Sequence, residues 1–241
     1  MKILAVIPAR YQSKRFQGKV LVKILGKPML QWVWEAVSAS NKVDEVGIAT
    51  DDERVAQVAM DFGARVFKTS PEHPSGSDRV AEVAKKAQVG LVINVQADEP
   101  LLRPQVIDEL VDALEKDSRA DISTPVFQVD REEAESPDVV KVVVDPHGNA
   151  LYFSRALVPC PARYETKFLR HIGVYAFRKY ALLNFAKHGP SALERIEGLE
   201  QLRALEMGMR IKAVQVKHKS VSVDRPEDIP AVEKLMKQEG F

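Results

Sequence analysis

Residues 3–19 read ILAVIPARYQSKRFQGK, a short apolar run followed directly by a basic loop. The apolar part, residues 3–7, is too brief for a helix and predicts a buried strand. The loop that follows offers four cations, a hydroxyl and a flexible glycine: Arg10, Lys14, Arg15, Lys19, Ser13 and Gly18. Because ligands of open α/β sheets bind beyond the carboxyl ends of the strands, this loop predicts a polyanion site, and a triphosphate suits it.

Two common phosphate-binding patterns are missing from this loop. It has neither the Gly-x-Gly-x-x-Gly spacing of a dinucleotide fold nor the Gly-Lys-Ser/Thr ending of a Walker loop. Both of these phosphate cradles are therefore disfavoured, and a dehydrogenase with them. When the loop is considered alone, the alternative to a polyanion site is a set of solvated surface charges.

The sequence after the loop alternates between amphipathic stretches and apolar runs. We predict a helix from Lys27-Pro28, a strand at 43–49, a helix capped by Asp51 or Asp52 and ending at Gly63, a strand at 65–68, a helix opened by Ser77 or Asp78, and a buried strand at 91–95. Strands and helices in alternation are typical of a parallel sheet with right-handed crossovers.

The second half of the chain alternates less regularly. We predict a helix from Pro104, a strand at 120–126, a hairpin of residues 139–144 and 150–153, a strand at 172–177, a helix at 191–207, strands at 211–216 and 221–223, and a closing helix at 226–238 capped by Asp224. The whole pattern predicts an α/β fold, a Rossmann-like mostly parallel sheet flanked by helices with a small β-rich subdomain. We expect one domain over residues 1–241, divided at about 1–128, 129–190 and 191–241.

Composition excludes several classes of function. With 35 Lys and Arg against 34 Asp and Glu, the net charge is +1, so no overall field attracts nucleic acid or an anionic membrane. Cys160 is the single cysteine, which excludes an internal disulfide and suits a reducing compartment. No apolar run approaches the length of a membrane helix. We therefore expect a cytoplasmic protein.

Two acidic residues are candidate metal ligands. Asp98 follows the buried strand at 91–95 directly, so its carboxylate is expected at the same sheet edge as the basic loop. Asp224 is expected between a short strand and the closing helix. Beside a triphosphate, such carboxylates suit Mg²⁺, which is held by one or two protein oxygens and by phosphate oxygens. Helix capping or turn formation at Asp98 and helix capping at Asp224 are the alternatives.

Residues 73–79, HPSGSDR, offer backbone amides and hydroxyls at a predicted helix start. Such a position suits recognition of a polar base edge or a ribose. Arg79 lies one turn into that helix, where a solvent-facing charge is the alternative.

Nine segments together resemble the 3-deoxy-manno-octulosonate (Kdo) cytidylyltransferases, the CMP-Kdo synthetase family. They are IPARYQSKRFQGK, TDDERV, HPSGSDRVAEV, VINVQADEP, VVKVVVD, ALYFSRA, RHIGVYAFR, LEQLRALEMG and VDRPED, and they follow the family's order over about residues 3–230. The resemblance implies a sugar-nucleotide type of nucleotidyltransferase. It would transfer CMP from CTP to the anomeric 2-hydroxyl of Kdo, forming CMP-Kdo and pyrophosphate and activating Kdo for lipopolysaccharide synthesis. Mg²⁺ would be required.

The resemblance also implies site residues. Those at the triphosphate would be Arg10, Ser13, Arg15 and Lys19, and those at cytosine and ribose would be Thr50, Asp51, Ser75, Gly76, Ser77 and Arg79. Asp98 and Asp224 would bind Mg²⁺, and Lys19, Arg10 and Asp98 would carry catalysis. The sugar acid would lie among Gln96, Arg155, His171, Tyr175, Glu200 and Gln201.

Alternatives within this resemblance stay open. The acceptor could be 8-amino-8-deoxy-Kdo or another sugar acid such as a sialic acid, or the chain could be a silent nucleotide-binding module. Ala97 stands where the family usually has glycine, which is tolerable only without a positive φ. Cys160 stands where an aromatic residue often lies, which bears on the wall of the sugar pocket. The family commonly forms homodimers, and the subdomain at 129–190 would serve sugar binding and dimerisation.

Overall fold

The computed structural model describes residues 1–13, 15–164 and 166–241. Two compact units share the chain: residues 1–108 with 219–241, and residues 109–218. Among the described residues, no helix has both the length and the apolar character needed to cross a membrane.

The first unit contains a parallel sheet. Its elements before residue 104 are β1 (Ile3–Pro8), β2 (Lys23–Ile24), β3 (Lys27–Pro28), α1 (Met29–Ser38), β4 (Glu45–Thr50), α2 (Glu53–Asp61), β5 (Arg65–Lys68), α3 (Gly76–Lys86) and β6 (Leu91–Val95). The strand order is β5-β4-β1-β6, and all three pairings are parallel. The parallel sheet predicted from the alternation of strands and helices is confirmed here.

Burial explains why the two central strands are mostly apolar. All six residues of β1 and all five of β6 are buried, as expected for parallel strands that are covered on both faces. Helix α1 buries Met29, Leu30, Val33 and Val37, which recur at the three-and-four spacing of one helix face.

The helix starts in this unit are set by side-chain caps. Asp52 caps α2 by accepting a hydrogen bond from the backbone N–H of Arg54 at 3.0 Å. Helix α3 begins one residue earlier than predicted, because Ser75 is the capping residue and accepts from the N–H of Asp78 at 3.2 Å. Ser77, one of the two residues expected to open the helix, lies inside its first turn.

The boundary between the units lies within α4 (Pro104–Lys116). The second unit contains β7 (Ile122–Val129), α5 (Arg131–Ala134), β8 (Lys141–Val144), β9 (Ala150–Ser154), β10 (Phe168–His171), β11 (Val174–Arg178), α6 (Lys179–Lys187), α7 (Ala192–Glu197), α8 (Gln201–Glu206) and β12 (Ile211–Gln215). Strand β7 pairs antiparallel with β10 and β11 and parallel with β12. The predicted hairpin is confirmed as β8 and β9.

The strand predicted at 172–177 is confirmed as β11, which begins two residues later than predicted. The sequence analysis did not predict β10, which precedes β11, and both strands run antiparallel to β7. Ile172 lies between them, and its N–H donates to the carbonyl of Pro125 at 3.1 Å.

The single helix predicted at 191–207 is wrong, because two helices occupy this region. Gly198 adopts a left-handed conformation with φ of 65° and ends α7, so the chain restarts as α8. Ser191 and Glu194 form a capping box at the start of α7. Ile196, an apolar residue of α7, has 79% of its surface exposed.

A buried ion pair joins these two helices. Arg203 of α8 donates to both carboxylate oxygens of Glu194 at 2.7 Å, and also to the carbonyl of His188. Replacing Arg203 with methionine leaves a buried carboxylate unpaired, so we expect a loss of about 3–5 kcal/mol in the free energy of unfolding. Urea denaturation measures this loss.

A matched surface pair provides the control for this variant. Arg119 pairs with Asp117, and the Arg119 side chain is 74% exposed. We expect Arg119→Met to change the free energy of unfolding by no more than about 0.5 kcal/mol. Equal losses in the two variants would contradict a structural role for the buried pair.

The chain returns to the first unit at residue 219. Residues 221–223 form no strand, and a short 3₁₀ turn (Pro226–Asp228) precedes α9 (Ile229–Glu239). Asp224 does not cap this segment as predicted. Instead, the carboxylate of Asp228 accepts hydrogen bonds from the backbone N–H groups of Asp224 and Arg225, both at 2.8 Å. The side chain of Asp224 is thereby available for other contacts.

Candidate active site in the first unit

The basic loop after β1 closes on itself. The N–H of Gly18 donates to the carbonyl of Tyr11 at 2.8 Å. Gly18 has a φ of 69°, and a Cβ at this position would lie 3.2 Å from the Tyr11 ring, so glycine suits both the conformation and the space. Arg54 of α2 stacks over the same ring at 3.4 Å. The described part of the loop is therefore closed on itself and held against α2, and Lys14 within it lies outside the described residues.

Lys19 lies between the two predicted metal ligands. Its Nζ is 2.6 Å from Oδ2 of Asp98 and 3.3 Å from Oδ1 of Asp224, and it also donates to the carbonyl of Val223. Arg15 reaches the same Asp224 oxygen at 2.8 Å. Two cations of the loop and two carboxylates from distant parts of the chain thus converge at one place.

Opposing effects act on the Lys19 ammonium. Burial lowers its pKa, but the carboxylates of Asp98 and Asp224 outweigh burial, so the pKa is raised above its ordinary value. Lys19 therefore carries a positive charge throughout the physiological range.

Backbone and apolar contacts explain why these segments meet. The N–H of Val223 donates to the carbonyl of Asp98 at 3.0 Å, which fixes the segments of the two carboxylates to each other. Val223 is fully buried in a cluster with Ile24, Met29, Leu101, Val232 and Met236, and Phe16 of the loop packs against this cluster. One apolar cluster therefore anchors the residues adjacent to Arg15 and Asp224.

Arg79 is fully buried beside the end of β4. Its Nη2 lies 2.6 Å from Oδ1 of Asp51, and Nη1 donates to the hydroxyl of Thr69. Thr50, the last residue of β4, is buried and accepts from the N–H of Asp52 at 3.2 Å. The solvent-facing alternative for Arg79 is therefore wrong.

An open cleft of about 570 Å³ lies beside this ion pair. Its lining includes Arg10, Tyr11, Ser13, Gln17, Asp51 and Arg79. Arg10 is held by the carbonyl of His73, which accepts from Nη2 at 2.7 Å, and the Ser13 hydroxyl accepts from the N–H of Phe16. The lining also includes Asp52, so the cleft offers two guanidinium groups, two carboxylates and a hydroxyl, which suit a polar ligand.

The start of α3 lies against the end of β1. A Cβ on Gly76 would be 3.2 Å from Cγ of Pro8 and 3.6 Å from the side-chain nitrogen of Gln96, so the backbone approaches closely here. Asn94 Nδ2 donates to the Ser77 hydroxyl at 3.1 Å, and both residues are buried. Gln96 is thus close to the predicted nucleotide residues, although the resemblance assigns it to the sugar acid.

Asn94 was missed in reasoning from the sequence. It is a fully buried amide in the otherwise apolar strand LVINV, and its Oδ1 has no hydrogen-bond partner among the described residues. A polar residue inside a buried strand was the signal available. Tyr11 and Gln17, which line the cleft, carried no comparable signal.

Ala97 meets the condition for replacing the family's usual glycine, which is the absence of a positive φ. Leu25 is the single non-glycine residue with a positive φ among residues 1–13, 15–164 and 166–241, so Ala97 lies outside the left-handed region. Ala97 is buried. The methyl group is therefore accommodated without backbone strain.

Predicted sugar-acid residues in the second unit

His171, Tyr175 and Gln201 lie together in the second unit. The Tyr175 hydroxyl donates to Oε1 of Gln201 at 3.1 Å, and the rings of His171 and Tyr175 are 5.3 Å apart. Three residues from β10, β11 and α8 therefore form one polar and aromatic cluster.

The hydrogen bonds of Thr124 determine which His171 nitrogen carries the proton. The Thr124 hydroxyl lies 2.8 Å from the carbonyl of Val174, which can only accept, and 2.8 Å from Nε2 of His171. The hydroxyl has one proton, so it donates to the carbonyl and accepts from Nε2–H. Nδ1 of the neutral ring is then left as an acceptor.

His171 predicts a pH dependence of stability. Burial, helped by the charge of Arg170, lowers its pKa from 6.5 to about 3. Between these values the unfolded chain binds a proton that the folded chain does not bind. The contribution of His171 to the free energy of unfolding is therefore fully present above pH 6.5. Below pH 6.5 it falls by about 1.4 kcal/mol per pH unit, which makes a loss of roughly 2 kcal/mol at about pH 5.

Urea denaturation above pH 6.5 and at about pH 5 tests this contribution of His171. We expect His171→Gln to lose less stability on acidification than the parent chain, because glutamine can keep the bond to Thr124 without titrating. His147 is exposed in the turn between β8 and β9, so His147→Gln should retain the full dependence. Identical profiles for the His171 variant and the parent would contradict the assignment.

Arg155 and Glu200 are the other two predicted sugar-acid residues of this unit. Arg155 follows β9, and its guanidinium donates to the carbonyls of Glu197 and Pro137 at 2.9 Å and 3.0 Å. Glu200 is half-buried and directly precedes α8. Cys160 is exposed, and its effect on a sugar pocket stays a prediction.

Comparison with known proteins

Sequence comparison identifies the family. A family model described as "Cytidylyltransferase" matches residues 4–211. The 3-deoxy-manno-octulosonate cytidylyltransferase of Geobacter metallireducens is 44% identical over 98% of both chains. That of Syntrophotalea carbinolica is 45% identical over 97% of this chain and 98% of its own.

This chain belongs to the 3-deoxy-manno-octulosonate cytidylyltransferase family.

Solved structures agree with this membership. A structure of CMP:2-keto-3-deoxy-manno-octonic acid synthetase complexed with CTP has a TM-score of 0.94 and 40% identity, and the match covers 99% of this chain and 100% of the other. A cytidylyltransferase of Leptospira borgpetersenii has a TM-score of 0.68 at 16% identity, which shows likeness of fold alone. The predicted α/β nucleotidyltransferase fold is confirmed. The chain is an enzyme of the nucleotidyltransferase class.

Proposed function

We propose that this cytidylyltransferase transfers CMP from CTP to the anomeric 2-hydroxyl of Kdo, releasing pyrophosphate. The observation that carries the proposal is the convergence of Lys19 and Arg15 on Asp98 and Asp224. Transfer of this kind asks a protein mainly for alignment and charge stabilisation, so cations on the leaving group and paired carboxylates meet its needs.

The first unit provides the nucleotide-binding residues of the proposal. Arg10, Ser13, Arg15 and Lys19 bind the triphosphate, and Lys19 and Arg10 stabilise the charge that develops on the departing pyrophosphate. The cytosine and ribose are bound by residues at the end of β4 and the start of α3, namely Thr50, Asp51, Ser75, Gly76, Ser77 and Arg79. The Asp51–Arg79 pair beside the cleft supports this assignment, because it offers an acceptor and donors at one wall.

Asp98 and Asp224 fit a magnesium ion. Both carboxylates already contact one cation, the Lys19 ammonium, so a single ion is within reach of both. No group of three or more His, Cys, Asp or Glu with metal-site geometry occurs in the described part of the chain, but Mg²⁺ beside a nucleotide needs only one or two protein carboxylates. When bound, Mg²⁺ would neutralise phosphate charge and lower the pKa of the sugar hydroxyl.

The proposed sugar-acid residues are Gln96 of the first unit and Arg155, His171, Tyr175, Glu200 and Gln201 of the second. Arg155 binds the carboxylate of Kdo, because a guanidinium pairs well with a carboxylate. His171 accepts a hydrogen bond from a sugar hydroxyl through Nδ1, and Tyr175 and Gln201 orient further hydroxyls. No covalent intermediate with the enzyme is required.

Pyrophosphate release tests the proposal directly. The full chain is incubated with CTP, Mg²⁺ and one sugar acid at a time, namely Kdo, 8-amino-8-deoxy-Kdo or a sialic acid. We expect the highest kcat/KM with Kdo. A higher value with another acid would reassign the acceptor, and no release with any acid would favour a silent nucleotide-binding module.

We also propose that the enzyme is a homodimer, that it is cytoplasmic and that it acts in lipopolysaccharide synthesis. In this dimer, residues of about 129–190 serve sugar binding and dimerisation. Light scattering after size-exclusion chromatography measures the assembly, and a monomer at micromolar concentration would remove the dimer from the proposal.

A further inference from the structure

Lys141 is a fully buried lysine in the segment VVKVVVD, to which the proposed function gives no role. Its Nζ donates to three backbone carbonyls: Val139 at 2.6 Å, Arg155 at 2.6 Å and Ser136 at 3.0 Å. An ammonium group has three N–H donors, so each meets one carbonyl oxygen. Lys141 thereby joins the turn that contains Pro137 to the backbone of Arg155.

Glu197, at the end of α7, holds Arg155 from the other direction. Its Oε2 accepts from the N–H of Arg155 at 3.0 Å, and its Oε1 accepts from the hydroxyl of Ser154 at 2.7 Å. The backbone carbonyl of Glu197 also accepts from Nε of Arg155 at 2.9 Å. The backbone N–H and C=O of Arg155 are thus both fixed by charged side chains.

The Arg155 side chain is fixed at two of its three guanidinium nitrogens. Nε donates to Glu197 and Nη1 donates to Pro137, whose turn Lys141 holds in place. Nη2 makes no hydrogen bond within residues 1–13, 15–164 and 166–241. A guanidinium held by carbonyls at two nitrogens keeps its plane and leaves its remaining donors for an anion.

We propose that Lys141 and Glu197 are positioning residues that orient Arg155 to bind the carboxylate of the acceptor sugar acid. This inference rests on the proposed function and extends it to residues that would not touch the substrate. Ordering a guanidinium before substrate arrives avoids the entropy cost of fixing a long side chain at the moment of binding. Loss of either residue should therefore weaken recognition of the acid and spare the nucleotide.

Steady-state kinetics of Lys141→Met and Glu197→Gln measure whether binding of the sugar acid weakens while binding of the nucleotide does not. Methionine retains the apolar length of lysine without its donors. Glutamine can offer only one acceptor where Arg155 N–H and Ser154 O–H need two. We expect the KM for Kdo to rise roughly tenfold, as for loss of a hydrogen bond to a charged group, while the KM for CTP stays within about twofold.

A substrate lacking the charge provides a second readout. The methyl ester of Kdo cannot form the ion pair, so the parent enzyme should prefer the acid in kcat/KM. This preference should shrink in both variants. In Lys141→Met combined with Arg155→Gln, the KM for Kdo should rise no further than in Arg155→Gln alone, because both changes act through one group.

Arg178 offers a matched control in the same unit. It also donates to three backbone carbonyls, those of Leu114, Asp117 and Ala120. Arg178→Met should lower the thermal midpoint as Lys141→Met does, without changing the KM for Kdo or the preference for acid over ester. If Lys141→Met fails to fold, the half-buried Glu197 variant carries the test.

Several outcomes would overturn the inference. They are equal changes in the KM values for Kdo and CTP, an unchanged preference for the acid over its ester, or the same kinetic pattern in the Arg178 variant. If the parent enzyme releases no pyrophosphate with Kdo, the proposed function fails first and the inference falls with it. If the parent enzyme turns over Kdo but the variants keep its preference for the acid, the inference is wrong and the proposed function stands.

Discussion

Replacing Asp98 with asparagine is expected to lower kcat about 10³-fold and to leave the fold intact. The side chain is partly exposed and follows β6, where it contacts the Lys19 ammonium. Asparagine keeps the shape and removes the charge that suits Mg²⁺. The effect should therefore be on metal-dependent turnover and not on the free energy of unfolding.

Three measurements separate these effects for Asp98. Pyrophosphate release gives kcat, urea denaturation gives stability, and Mn²⁺ titration in the presence of CTP gives metal affinity. Asp108 of the first unit, which accepts hydrogen bonds from Ser40 and Asn41, provides the control variant Asp108→Asn with near-normal turnover. Near-normal Mg²⁺-dependent activity in Asp98→Asn would contradict the metal assignment.

Replacing Lys19 with alanine is expected to lower kcat by about 10²–10³-fold, in a way that added Mg²⁺ does not reverse. In the proposed reaction, the ammonium stabilises charge on the leaving pyrophosphate. A metal ion held by Asp98 and Asp224 does not replace that contact. The loss should appear in kcat and in kcat/KM for CTP.

Chemical rescue tests this role of Lys19. The truncated side chain leaves room for a small amine, so ethylamine should restore part of the rate in Lys19→Ala. Lys23 lies exposed in β2 and supplies the control, since Lys23→Ala should neither lose rate nor respond to ethylamine. Restoration of Lys19→Ala by Mg²⁺ alone would assign the residue to metal binding instead.

The order of elements in the first unit follows from the sequence because the signals there are local. Four apolar residues among the five of β6 and the three-and-four spacing in α1 each identify an element without reference to the rest of the chain. Caps were harder to predict. Ser75, Ser77 and Asp78 are all good capping residues, and only the backbone conformation at Ser75 decides among them.

The second unit departs from the sequence-based prediction where a local signal was ambiguous. A glycine within a helical pattern costs only about 1 kcal/mol, so Gly198 did not exclude one long helix. The break is stabilised by side-chain contacts across it, including the bonds from Arg203 to Glu194 and His188. Strand β10, which was not predicted, depends on pairing with β7, a strand about 40 residues earlier in the chain.

The sequence by itself determined the family, the α/β class and which residue types carry the proposed chemistry, because motifs and periodicity are properties of the chain. The tertiary structure alone decided that Lys19 lies between Asp98 and Asp224, that Arg79 is buried against Asp51, and that Lys141 holds Arg155. These contacts join residues far apart in the chain. The first of these contacts forms because burial of the apolar neighbours Phe16 and Val223 brings the charged side chains together, and no local pattern encodes that meeting.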